Sequence, residues 1–211
     1  MSIQFHNEGG KILVQNLIDV IHENRAYLSD IDGKIGDGDH GINMDKGFQL
    51  TKGRLEDVQS MSEALNVLGR ALLLEIGGSM GPLYGKFFKA MAKESKATEE
   101  ISSEVFLAML EAAYNAIQSL GNAKPGDKTM VDTLDPAVSA FKTALTDGMD
   151  FSDALDKMIN AAKAGWQSTE DMVAKIGRSS RLGERSRGVL DAGATSCFLM
   201  LQSMAETFKS F

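Results

Sequence analysis

The 211-residue length and the 43% share of hydrophobic residues are those of an ordinary globular protein with one substantial core, and we expect a single domain over residues 1–211. The 22 Lys and Arg residues against 29 Asp and Glu residues give a net charge of −7, which argues against nucleic acid or an anionic membrane as the partner. The apolar runs are shorter than a membrane span and the N-terminus lacks a signal-peptide pattern, so we expect a cytoplasmic protein.

Apolar residues recur at three- and four-residue spacings through most of the chain, and only 3 prolines occur, which predicts an all-α fold. The prediction comprises eight helices. The second begins inside the Asp-rich stretch of residues 31–43 and is marked by Met44, Phe48 and Leu55, and the others lie at about residues 9–30, 61–76, 82 onward, 102–121, 129–146, 151–175 and 193–209. Ser102 or Ser103 is the expected N-cap of the fifth, and Pro136 is expected to kink or restart the sixth, with Asp135 as a cap. The single cysteine, Cys197, lies in an apolar run and is expected in the core.

Short loops between eight helices predict an up-and-down bundle, in which alternate loops share an end. The loops after the odd-numbered helices are rich in Gly together with polar residues: 31–42, 77–81, 121–129 and 176–193. We therefore expect the functional groups to be concentrated at one end of the bundle.

The first of these loops, IDGKIGDGDHGIN, places Asp32, Asp37 and Asp39 within eight positions, followed by His40. Such crowding is costly unless water or a cation offsets the repulsion. A solvated Asp-Gly turn and a cage of oxygen ligands for Mg²⁺ or Ca²⁺ both fit the pattern. The EF-hand template does not fit, because it would put Lys34 or Gly41 at a ligand position.

The other three loops each allow a functional and a structural interpretation. GGSMGPLYG, residues 77–85, can present backbone N–H groups to an anion, or can provide glycines for close helix contacts; it is not a Walker A loop. In the loop 121–132, Asp127 is a candidate N-cap and Thr129 a candidate ligand contact, although a plain turn is equally compatible. The segment 177–188 carries four arginines, which suit phosphate recognition, a solvated basic loop or salt bridges to the aspartates. Together the loops offer the components that phosphoryl transfer requires, and they predict a nucleotide site.

Four segments in order, IGDGDHGINMDKGF, GGSMGPLYGKFF, KPGDKTMVDTLDP and GRSSRLGERSRGVLDAGATS, closely resemble the L subunits of bacterial dihydroxyacetone kinases. The resemblance implies a single domain of eight antiparallel helices forming a barrel, with ADP or ATP and two Mg²⁺ held by the loops at one end. It assigns the metal ligands to Asp32, Asp37 and Asp39. It assigns nucleotide contacts to His40, Gly41, Ile42, Asn43, Gly78, Ser79, Met80, Gly121, Thr129, Met130, Arg178, Asp191, Ala192 and Gly193. The family commonly places a small residue and then Ser before Gly-Pro-Leu, where this chain has Ser79 and Met80, so a hydroxyl contact to phosphate is either absent or supplied by Ser79.

The resemblance also implies the reaction and the partners. In the phosphotransferase-system version, a phosphohistidine protein rephosphorylates ADP that stays bound to the L subunit. The phosphoryl group then passes to dihydroxyacetone held on a separate K subunit, so no nucleophile is expected on this chain. The alternatives are the L subunit of an ATP-dependent kinase, a nucleotide-sensing module that docks on a transcription regulator, and an L-type domain that serves a kinase of fatty acids or other trioses.

Overall fold

The computed structural model describes residues 3–211 and is nearly all helical. Its nine α-helices are α1 (Ile12–Glu23), α2 (Arg25–Ile35), α3 (His40–Lys52), α4 (Met61–Glu75), α5 (Met80–Ser95), α6 (Ser103–Gln118), α7 (Val131–Thr146), α8 (Phe151–Ser168) and α9 (Ala192–Lys209). Two 3₁₀ segments, Thr169–Asp171 and Ser179–Ser186, lie between α8 and α9. Within residues 3–211 the extended structure is limited to an isolated antiparallel bridge between His6 and Glu100. The predicted all-α class is confirmed.

Side-chain caps fix the starts of four helices. The side chains of Ser60, Ser102, Asp150 and Asp191 accept hydrogen bonds from backbone N–H groups in the first turns of α4, α6, α8 and α9. Each such cap stabilises a helix by about 1 kcal/mol. The prediction that Ser102 or Ser103 caps its helix is confirmed for Ser102.

The helices pack mainly on their neighbours in the chain, and α9 packs on α1, α7 and α8. Their apolar faces form one core, at one end of which the rings of Phe5, Phe106, Phe141 and Phe208 make edge-to-face contacts. Cys197 is buried in this core, as predicted. These contacts describe a helical bundle, and its arrangement as an eight-helix barrel stays a prediction, as does the single domain, whose first two residues lie outside the described part. No helix within residues 3–211 combines the length and the apolar character needed to cross a membrane.

The first predicted helix is broken at Asn24, so the chain has one helix more than expected. The Asn24 side chain donates a hydrogen bond to the Val20 carbonyl (2.8 Å), which closes the last turn of α1. After this break α2 continues to Ile35, so Asp32 lies in a helix and the expected loop 31–42 shrinks to residues 36–39. The loop assignment was wrong because Gly33, an isolated glycine inside a helical pattern, does not end the helix, which ends only at its C-cap, Gly36.

Two further predictions concern α7. The helix runs through Pro136 without restarting, so the restart with Asp135 as a cap was wrong, while the alternative, a kink at Pro136, stays a prediction. Proline removes the hydrogen bond that the Asp132 carbonyl would otherwise accept, and Gly165 of α8 packs against that carbonyl and the proline ring. Asp127 is not the N-cap, because Asp132 instead accepts from the N–H groups of Gly126 (2.5 Å) and Thr129 (2.7 Å).

Candidate functional site

Residues from all four Gly-rich segments line one cavity of about 480 Å³, a size typical of small-molecule sites. The predicted site residues that line it are Asp32, Asp37, Asp39, His40, Gly78, Ser79, Met80, Gly121, Thr129, Met130, Arg178, Asp191, Ala192 and Gly193. The first turn of α3 supplies the exceptions, Gly41, Ile42 and Asn43. Gly41 is buried against α2, Ile42 is 59% exposed, and the Asn43 N–H bonds to the Asp39 carbonyl (2.9 Å).

Three carboxylates form an acidic cluster at one side of the cavity. One oxygen of each of Asp32, Asp37 and Asp39 lies within 4.8 Å of the others. Asp32 comes from the last turns of α2 and Asp39 from the N-cap position of α3, and Gly38 turns the chain between them with φ of 77°. The His40 N–H donates to Asp32 (3.3 Å) and so ties the two helices together. Three oxygen donors at this spacing fit a hard divalent cation such as Mg²⁺.

Arg178 forms an ion pair with Asp37 across the cavity. It is the one arginine of the segment 177–188 that lines the cavity, although its side chain is also partly open to solvent, and Arg187 instead bonds to the Asp171 carbonyl (2.6 Å). One guanidinium, not several, is therefore available to a phosphate group. Of the interpretations that the sequence allowed for the four arginines, the structure shows a salt bridge to an aspartate for Arg178.

His40 is the outermost member of a buried hydrogen-bond chain. Its Nε2 lies 2.9 Å from Oγ of Ser196, which lies 2.6 Å from the hydroxyl of Tyr84, and that hydroxyl donates to the Gly193 carbonyl (3.1 Å). Burial lowers the pKa of His40 to about 4, against the weaker opposing effect of Asp32. A neutral imidazole at physiological pH contributes hydrogen bonds to the site and no positive charge.

The glycines of the second loop divide between the two roles that the sequence allowed. Gly77 and Gly78 have open space around their Cα atoms, and Gly78 adopts a φ of 72°. Gly81, in contrast, packs so closely on the Ile76 carbonyl that a Cβ would overlap it. The start of α5 has no side-chain cap, so its first N–H groups are available to an anion in the cavity.

Lys128, which the sequence analysis missed, is buried in the lining of the cavity. Its ammonium donates hydrogen bonds to carbonyls between residues 169 and 189, and its backbone has a φ of 63°. Burial lowers the pKa of this ammonium below its usual value. Nothing in GDKT marks the lysine as buried, because its partners are remote in sequence.

Apolar side chains that line the cavity were also missed. They lie at or next to helix ends and include Ile35, Leu83, Ile117, Leu120 and Val131. Apolar positions at helix ends resemble core positions in a sequence, so no signal separates them. The cavity therefore offers both charged groups and apolar surface, as a nucleotide requires.

Asp191 caps α9 by accepting from the Ala194 N–H (2.7 Å), and burial raises its pKa to about 6, from the usual 3.8 of an aspartate. The folded state then binds more protons than the unfolded state between these two pKa values, so the stabilising contribution of Asp191 is complete below pH 3.8 and is lost as the pH rises through 6.

Asp191→Asn keeps the cap acceptor without the charge. We expect it to exceed the wild type in unfolding free energy by roughly 2–3 kcal/mol at neutral pH and to equal it near pH 4.

Urea unfolding of both proteins across this pH range, in EDTA and without nucleotide, measures the difference directly. A difference that does not change with pH would show that the Asp191 carboxyl titrates normally.

Comparisons with known proteins identify the family and the fold. The DAK2 domain model matches residues 34–206. The chain is 41% identical over 188 residues to the PTS-dependent dihydroxyacetone kinase, ADP-binding subunit DhaL, of Lactococcus lactis, covering 88% of this chain and 90% of that protein. It is 36% identical over 189 residues to the PEP-dependent dihydroxyacetone kinase, ADP-binding subunit DhaL, of Escherichia coli, covering 89% and 90%. The dihydroxyacetone kinase of C. freundii in complex with AMP-PNP and Mg²⁺ matches with a TM-score of 0.68 at 23% identity, over 93% of this chain and 33% of that one, which shows the shared fold.

Proposed function

Because the chain belongs to the DAK2 domain family, we propose that it is the ADP/ATP-binding subunit of a dihydroxyacetone kinase. The relatives that match over nearly their whole length are separate ADP-binding subunits of PEP- or PTS-dependent enzymes. These relatives favour a phosphohistidine protein of the phosphotransferase system as the phosphodonor and a separate K subunit as the partner that holds dihydroxyacetone.

The observation that carries this proposal is the meeting of three carboxylates, one arginine and an uncapped helix start in one cavity. In our proposal Asp32, Asp37 and Asp39 would hold two Mg²⁺. When bound, the ions would supply charge neutralisation at the phosphates, and ADP would supply the site of phosphoryl transfer. The loop 77–80 and Arg178 would surround the phosphates with N–H donors, and the apolar lining would contact the base. Phosphoryl transfer depends mainly on such positioning and charge neutralisation, so the proposal requires no nucleophile on this chain.

The test begins with freshly purified, extensively dialysed protein, which is denatured and assayed for nucleotide and Mg²⁺. We expect ADP and magnesium in near-stoichiometric amounts. An empty protein that binds ATP reversibly would favour an ATP-dependent kinase, and a protein that binds neither nucleotide would refute the proposal.

A transfer assay then separates an enzyme subunit from a regulator. The chain is mixed with a K subunit, dihydroxyacetone and either the phosphorylated phosphotransferase protein or ATP. Formation of dihydroxyacetone phosphate with the first donor supports the proposed reaction. Nucleotide binding without product from either donor would instead indicate a regulatory module.

A further inference from the structure

The segment from residue 169 to residue 191, called here the closing segment, covers one side of the cavity with very little hydrophobic support. It contains two short 3₁₀ segments, and between residues 171 and 190 only Ala174 and Ser186 are buried. Gly177, Gly183 and Gly188 adopt positive φ values of 78°, 55° and 82°. Polar contacts must therefore hold this segment in place.

One ammonium group makes four of these contacts. Nζ of Lys128 donates to the carbonyl oxygens of Thr169 (2.7 Å), Met172 (3.1 Å), Ser186 (2.7 Å) and Val189 (2.5 Å). An ammonium has three protons, so all of them are engaged and one is shared. The residue is only 1% exposed, and its ammonium bonds to backbone carbonyls and not to a carboxylate. Four carbonyl oxygens around one positive charge resemble the coordination of a metal ion.

The same geometry connects this group to the cavity. The closing segment brings Arg178 to Asp37, while Thr129 and Met130, which follow Lys128 directly, line the cavity from the third loop. The left-handed backbone of Lys128 costs a non-glycine residue about 1–2 kcal/mol and persists only where the surroundings hold it. A further backbone bond, from the Lys175 N–H to the Asp127 carbonyl (3.1 Å), joins the two segments at the same place.

We propose that the Lys128 ammonium acts as a built-in cation that assembles the closing segment over the cavity and thereby sets how long a nucleotide stays bound. Lys128 is then a positioning residue that acts through Arg178 and does not contact phosphate itself. The link to nucleotide residence rests on the proposed function, whereas the assembly of the segment does not.

The test uses chemical rescue. Lys128→Ala removes the atoms from Cγ to Nζ, which n-propylammonium replaces. Lys128→Met keeps an apolar side chain of similar length and removes only the charge and the N–H donors.

We expect both variants to show faster amide hydrogen exchange in the closing segment of the nucleotide-free protein. We also expect ADP to dissociate about 10- to 100-fold faster, as the loss of a buried charge-assisted hydrogen-bond donor predicts. In Lys128→Ala, n-propylammonium should reverse both changes, whereas n-propanol, which lacks the charge, and tetramethylammonium, which lacks N–H donors, should not.

Asn7→Ala is the matched control. The Asn7 side chain is buried and donates to the carbonyls of Ser95 (3.0 Å) and Thr98 (3.0 Å), at the far end of α5 from the cavity. This variant should lower stability and leave both the exchange of the closing segment and ADP dissociation unchanged.

Three results would overturn the inference. Wild-type exchange of the closing segment in both Lys128 variants would show that the ammonium does not assemble it. Equal rescue by n-propanol would reduce its role to packing. Faster dissociation with unchanged exchange would indicate a direct contact between Lys128 and phosphate. If the wild type retains no nucleotide, the proposed function fails, and the exchange measurements still decide whether Lys128 assembles the segment.

Discussion

Asp37→Asn is expected to weaken Mg²⁺-dependent retention of ADP by at least about 100-fold and to abolish phosphoryl transfer. The substitution removes one of three clustered oxygen ligands and a negative charge. Mutation of residues that only hydrogen-bond to a metal ligand typically lowers metal affinity by about 10- to 100-fold. Loss of a ligand itself should lower it at least as much. Equilibrium binding of ADP at fixed Mg²⁺ measures the effect.

Asp30→Asn provides the matched control for this change. Asp30 lies in α2, two residues before Asp32 of the acidic cluster, and its carboxylate pairs with Lys34 (2.9 Å) on the exposed surface. The same change from carboxylate to amide should there leave ADP binding intact.

The metal dependence of the Asp37→Asn effect gives a second, independent prediction. Without a cation the three carboxylates repel phosphate, and Asp37 engages Arg178. In EDTA the difference between the wild type and Asp37→Asn should therefore vanish or invert. If Asp37→Asn weakens binding equally in EDTA, the carboxylate acts without a metal and the proposed Mg²⁺ site is wrong.

Gly41→Ala is expected to destabilise the protein by about 3 kcal/mol, although alanine favours a helix more than glycine does. A Cβ at this position would overlap the Arg25 carbonyl oxygen and would lie 2.8 Å from both the N and the Oγ of Ser29. These are mostly backbone atoms of α2, which cannot move aside without shifting the helix. Because α2 carries Asp32 and α3 begins after Asp39, the same shift should also separate the acidic cluster and weaken Mg²⁺-dependent binding.

Gly53→Ala, at the other end of α3, is the control. Gly53 has a φ of −69°, and no atom lies within 4 Å of the position of its Cβ. This variant should be neutral or slightly stabilising, by less than about 1 kcal/mol. Urea unfolding of both variants measures the difference. Similar stabilities would show that α2 and α3 do not meet closely at Gly41, and the predicted nucleotide contact of Gly41 would then regain support.

The sequence alone was sufficient for the features that depend on neighbouring residues. Three- and four-residue spacings of apolar side chains predicted the helices, and Ser102 was identified as a cap because a cap acts within three residues of its own position. The acidic cluster could be anticipated because Asp32, Asp37 and Asp39 lie within eight positions. Composition alone also picked out the four segments that line the cavity.

Only the tertiary structure decided the features that join distant residues. The partners of Lys128 lie 41 to 61 positions further along the chain, and Ser196 meets His40 across 156 positions, so no local pattern could reveal either contact. The same applies to Gly41, whose place in the motif suggested a ligand contact and whose close approach to α2 gives it a packing role. It also applies to Arg178, the one arginine of four that reaches Asp37. Local sterics and periodicity act over a few residues and can be read from the sequence, whereas the choice among chemically equivalent side chains depends on which of them the packing of the helices brings to the cavity.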